Sequence, residues 1–113
     1  MQQSNFRIVF FRYINRKPVE DFIAELSDAT QAKIHKSINL IAIHGSRAGW
    51  PVVKKVDKGL YELRIRGVAE IRLFFVVIEM SVIILHAFKK KSQKLPLKEL
   101  RLARKRLTQV YRI

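Results

Sequence analysis

The sequence predicts an α+β fold: a helical hairpin packed on a small antiparallel (mixed) sheet, followed by a basic C-terminal helix. Three observations carry this expectation. Apolar residues recur at helical spacing from Pro18 to His44, alternate with a period of two from Leu60, and return to helical spacing beyond Pro96. At 113 residues, of which 49% are hydrophobic and fall in periodic blocks, the chain (1–113) fits a single domain with a core of its own.

Phe6 to Tyr13 (FRIVFFRY) is short and rich in aromatic and β-branched residues, which favours a strand. Asn15 to Lys17 turns the chain, and Pro18 suits a first helical turn. Val19, Phe22, Ile23 and Leu26 then form the stripe of a short amphipathic helix. A second helix follows, with Asp28 and Gln31 as a capping-box-like pair, Ile34, Ile38 and Ile41 on its apolar face, and Gly45 as its stop. Ser46 to Pro51 is a loop by composition, with Trp50 expected as a packing anchor, and Val52 to Val56 is a short strand.

From Leu60 the parity places Tyr61, Leu63 and Ile65 on one face and Glu62, Arg64 and Arg66 on the other. The next strand repeats it, with Ile71, Leu73, Phe75 and Val77 opposed to Glu70, Arg72 and Phe74. If Gly67 to Ala69 closes the hairpin, Arg64 faces Arg72 across the ladder, on a face expected to be exposed. After a turn at Glu79 to Ser81, Val82 to Phe88 is apolar enough to be a central strand buried on both sides. The last helix carries Leu100, Ala103, Leu107 and Val110 on one stripe, with Arg101, Arg104, Lys105 and Arg106 around it.

Lys and Arg total 23 against 9 Asp and Glu, a formal charge of +14. Such a field attracts polyanions: nucleic acid, an anionic membrane surface or an acidic protein. Cysteine is absent, which excludes disulfides and thiolate chemistry. The most hydrophobic window, Ile71 to Ala87, is interrupted by Arg72, Glu79, Ser81 and His86, so a soluble, cytoplasmic protein without membrane association is expected. The three histidines lie far apart with no acid-rich motif, so no metal and no cofactor is expected.

Two groups carry the candidate chemistry. Directly opposed arginines repel, so Arg64 and Arg72 either offer an anion a site or are neutralised by Glu62 and Glu70. Lys89, Lys90, Lys91 and Lys94 emerge from the end of the apolar strand, and from Lys89 onward the chain carries ten Lys or Arg and one acid, Glu99. That suits a groove that follows a phosphate backbone, in which Arg66 and Arg104 would join Lys89 and Lys94 as contacts to a polyanion, RNA among them. His86 precedes the lysines and is either a core histidine or a proton shuttle, whereas His35 and His44 are read as structural.

The runs LYELRI, IRLFF and LHAFKKKSQKLP, together with the order of elements from Phe6 to Tyr111, resemble the phage-derived HigB/RelE-like toxins of type II toxin–antitoxin systems. The resemblance implies a RelE-like microbial RNase fold and a metal-independent endoribonuclease that cleaves mRNA in the ribosomal A site. It also implies a cognate helix-turn-helix antitoxin bound in a hetero-oligomer. On that analogy Arg64 and Arg72 hold the scissile phosphate, Lys90 or Lys91 stabilises the developing charge, Lys94 contacts backbone phosphates, and Glu62 or His86 moves protons. Related toxins often use a tyrosine or histidine near the C-terminus, where this chain has Tyr111. The family pattern commonly places a threonine before the helix-starting proline; here it is Leu95, which loses an N-cap worth about 1 kcal/mol. The alternative from charge alone is a non-catalytic RNA- or DNA-binding module.

Overall fold

The computed structural model describes residues 5–49 and 52–111; Trp50 lies outside them, as does the side chain of Tyr111. The elements run β1 (Arg7–Phe10), α1 (Pro18–Ala24), α2 (Asp28–His44), β2 (Val53–Asp57), β3 (Leu60–Ile65), β4 (Ile71–Ile78), β5 (Ser81–Lys89) and α3 (Leu97–Tyr111), with a 3₁₀ turn at Gly45–Ala48. This is the α+β arrangement expected for a RelE-like fold. No helix among the described residues is long and apolar enough to cross a membrane.

The five strands form one mixed sheet in the order β1-β5-β4-β3-β2. β2 to β5 are an antiparallel meander, and β1 joins the edge parallel to β5. The α1–α2 hairpin packs on one face through Val19, Ile23, Ile34, Ile38 and Ile41, which meet Leu63, Ile65, Ile71, Leu73, Phe75 and Ile84. α3 covers the other face, where Ala103, Leu100 and Leu107 pack against Leu60, Phe74, Val76, Leu85 and Phe88. Apolar burial on both faces is the main stabilising contribution, and it explains why β5 is hydrophobic almost throughout.

Three local expectations change. The cap of α2 is Ser27, whose hydroxyl accepts from Thr30 N at 3.2 Å, so the helix begins one residue ahead of the Asp28 cap inferred from its pairing with Gln31. Gln31 instead donates to the Leu26 carbonyl at 2.9 Å and ties the two helices at their joint. The Ser46–Pro51 loop starts as a 3₁₀ turn, and the β4–β5 turn is confined to Glu79 and Met80, with Ser81 already in the ladder.

β5 contains one extra residue. Its register with β4 passes from Phe75↔Ile84 to Phe74↔His86, so Leu85 has no partner opposite. Such a bulge inverts the facing of the residues beyond it. Val82 and Ile84 face the helical hairpin; after the bulge Ala87 faces it instead, and His86 and Phe88 turn toward α3.

Gly45 ends α2 at φ +58° and ψ −141°, a region that essentially only glycine occupies. A β-carbon there would stand 2.9 Å from the Phe6 ring. Gly45→Ala should therefore cost about 1–3 kcal/mol from backbone conformation, plus the contact with Phe6. Urea unfolding of Gly45→Ala with Phe6 and with Phe6→Leu checks this: the smaller side chain should recover the contact part only, and an unchanged midpoint in Gly45→Ala would contradict the assignment.

Candidate RNA-binding cleft

The β3–β4 ladder pairs Arg64 with Arg72, as the parity predicts. The face they share is not the open surface expected of it, because α3 covers that side of the sheet. Arg72 is only 3% exposed and Glu62 only 4%. Arg72 is surrounded by two carboxylates, with Nε 3.7 Å from Glu62 Oε1 and Nη2 3.6 Å from Glu70 Oε1. Its Nη1 reaches the Ile71 carbonyl at 3.4 Å, while Nε–H makes no hydrogen bond among the described residues. The contacts are long for a guanidinium, so Arg72 is charge-compensated but weakly bonded.

Where α3 ends its cover, a cleft of about 420 Å³ opens, lined by Arg64, Arg66, Glu70, Arg72, Lys90, Lys91, Ser92 and Gln93. The hairpin supplies the arginines; the strand end supplies the lysines. Lys90 N donates to the Glu70 carbonyl at 2.8 Å, which fixes the lysine segment beside β4. Lys89 and Lys94 line a second cleft of about 300 Å³, which shares Lys90, Lys91 and Ser92 with the first and is closed by the first turn of α3. A larger apolar groove of about 570 Å³ lies between β1 and the last turns of α3, near Phe11, Tyr13 and Val110. It has one cation, Arg12, which is bonded to Glu20, so the convergent charge is in the two connected clefts.

The remaining candidates are elsewhere. Arg104 is ion-paired with Asp57 of β2, its Nε 2.7 Å from Oδ2, and lines neither cleft; the same bond holds the Asp57 carboxyl below the usual carboxylate range. Glu62 is buried behind Arg72. His86 is packed beneath α3: Glu99 Oε1 is 2.7 Å from Nε2, and Arg106 Nη1 is 3.3 Å from Nδ1. A guanidinium only donates, so Nδ1 accepts and the proton sits on Nε2, donated to Glu99. Arg106, placed by sequence among the solvent-facing residues of the last helix, is buried. It donates to the carbonyl of the bulged Leu85 at 2.8 Å and lies over the Phe11 ring.

Glu70, Glu99 and Arg106 are the residues whose positions the sequence conceals. Glu70 was legible only as a neutraliser of the arginines, yet it lines the cleft itself. Glu99 is the single acid in the basic C-terminal stretch, the one feature of the sequence that could have singled it out.

Burial pushes the His86 pKa below the usual value of 6.5, with Arg106 acting in the same direction and the Glu99 hydrogen bond opposing them. A depressed folded-state value means that the unfolded chain takes up the proton first. The contribution to stability is complete above pH 6.5 and is lost as pH falls through and below it, until folded His86 also protonates. Urea midpoints between pH 7.5 and 5 should fall more steeply for the wild type than for His86→Gln; parallel curves would reject a neutral His86 beneath α3. Arg72→Ala leaves Glu62 buried without its cation and should destabilise by about 3–5 kcal/mol. Glu62→Gln combined with Arg72→Met should cost much less, and equal losses would contradict the buried pair.

Residues 21–108 match the family model described as phage derived protein Gp49-like (DUF891). No curated protein matches the chain.

Proposed function

The chain belongs to the Gp49-like family of phage-derived proteins, and from that premise we propose that it is the toxin of a type II toxin–antitoxin system, a metal-independent endoribonuclease that cuts mRNA on the ribosome. The family is associated with RelE/HigB-like toxins. The observation that carries the proposal is the cleft in which Arg64, Arg66, Lys90 and Lys91 surround the buried, under-bonded Arg72.

Cleavage by this route needs only the RNA and the side chains. The ribose 2′-oxygen attacks the adjacent phosphorus, the P–O5′ bond breaks, and a 2′,3′-cyclic phosphate and a 5′-hydroxyl result. Negative charge grows on the non-bridging oxygens as the phosphorane forms, and preorganised cations stabilise it more than they stabilise the ground state. Arg64 and Arg72 hold the phosphate from the sheet, and Lys90 and Lys91 approach it from the strand end. Glu70, the carboxylate that lines the cleft, takes the 2′-hydroxyl proton, and one of the two lysines returns a proton to the leaving 5′-oxygen. Glu62 then serves by holding Arg72, and His86 by holding α3. Lys89 and Lys94 extend the cationic track along the RNA backbone. A helix-turn-helix antitoxin is the partner this reading expects.

Arg64→Ala is the informative substitution, because Arg64 is half-buried and the Glu62–Arg72 pair stays in place. Removing one such charge-stabilising group should lower cleavage about 10²–10³-fold. Induction of the wild type should arrest growth and create new transcript 5′ ends, and Arg64→Ala should relieve both while its circular dichroism spectrum remains that of the folded protein. Intact transcripts with salt-sensitive RNA binding would assign the chain as a binding module instead.

A further inference from the structure

The second cleft contains an arrangement that phosphate binding does not require. Its lysines are joined by an apolar wall, in which Leu95 is 64% and Leu97 52% exposed, and by the carboxylate of Glu99. A carboxylate repels phosphate, so the Glu99 side of this cleft is unsuited to the backbone, which the lysines on its other side can follow. The side chain is about one-third exposed and is not loose: His86 Nε2–H holds Oε1 at 2.7 Å, and Arg106 fixes the imidazole that does so. A half-buried, doubly bonded histidine therefore orients an acceptor in a cleft otherwise lined by lysines, Ser92 and the apolar surface of Phe88, Leu95, Pro96 and Leu97.

We infer that this second cleft is a nucleobase subsite for the nucleotide next to the scissile phosphate, with Glu99 as the specificity-determining acceptor and His86 and Arg106 as its positioning residues. The inference rests on the RNA-binding reading of the arginine cleft and deepens it. The clefts share Lys90, Lys91 and Ser92, so an RNA chain whose phosphate occupies the arginine end places its neighbouring nucleotide here. The faces of Leu95 and Leu97 contact the base plane, and the lysines contact the flanking backbone. The carboxylate accepts from an exocyclic amine. Cytosine presents one at N4, where uracil presents a carbonyl that a carboxylate repels. The subsite therefore favours amino-bearing bases and disfavours uracil.

Hexacytidylate and hexauridylate with 2′-O-methyl riboses test this, because they differ at the base edge and lack the attacking hydroxyl. In fluorescence anisotropy with the purified protein, the wild type should bind the cytidine oligomer about tenfold more tightly. Glu99→Gln keeps an oxygen for His86 Nε2–H and turns an amide donor to the base, so the ratio should collapse or reverse toward uridine. A circular dichroism melt within a few degrees of wild type establishes that the variant is folded. Equal binding of the two oligomers by the wild type, or an unchanged ratio in Glu99→Gln, overturns the inference while leaving RNA binding intact. Binding of neither oligomer by the wild type overturns the RNA reading itself.

Discussion

The site depends on how α3 is seated against the sheet, and that seat is set by one extra residue in β5. The bulge at Leu85 leaves a residue without a ladder partner and turns His86 and Phe88 to the α3 side. Arg106 answers both changes, with one nitrogen bonded to the Leu85 carbonyl and close to His86 Nδ1. His86 in turn holds Glu99, in the first turn of α3. A chain of polar contacts thus crosses an otherwise apolar interface and fixes the helix along and across the sheet. Apolar packing alone is non-directional and would not specify that position as closely.

The position of α3 also decides which charges are available. Had the helix extended farther over the hairpin, the arginine face would be closed; had it been absent, Glu62 and Arg72 would be a solvated surface pair of little energetic consequence. Partial cover buries Glu62 and Arg72 and leaves Arg64 half-buried and Arg66 exposed. The cleft is therefore graded, with a buried guanidinium at its floor and mobile-stemmed lysines at its mouth. A phosphate moving inward would trade contacts with flexible, hydrated ammonium groups for planar guanidinium donors that are already placed.

Much of this was legible in the sequence, and the parts that were not share a physical cause. The Arg64↔Arg72 register follows from two-residue parity and the length of the Gly67 turn, both local properties. The hairpin, the meander and the basic helix likewise declare themselves through period. The burial of Glu62 and Arg72 was not legible, because alternation of charged and apolar residues looks the same on a solvated face and on one that a later helix covers. The bulge was hidden for a related reason: in VIILHAF almost every residue is apolar, so no alternation marks where parity breaks. Arg106 looked solvent-facing since the acceptors that hold it against the sheet, the Leu85 carbonyl and His86, are 21 and 20 residues away in sequence.

The global charge and the local site answer different physical demands. A formal +14 draws a polyanion to the surface from a distance, but that attraction decays within roughly 8–10 Å at physiological ionic strength and does not distinguish one phosphate from another. Under the proposed function, selection begins inside the cleft. There Arg64, Arg66, Arg72, Lys90 and Lys91 outnumber Glu62 and Glu70, so a net positive site survives even though Arg72 itself is compensated. The two acids are what allow an arginine to be buried opposite another arginine at all, since an unpaired buried charge would be expelled or would unfold the hairpin. They keep the guanidinium in place without satisfying it: none of its contacts to them is shorter than 3.6 Å. A rigid cation with unmet hydrogen-bonding capacity is suited to stabilising charge that appears only during a reaction, because its reorganisation cost has been met in folding.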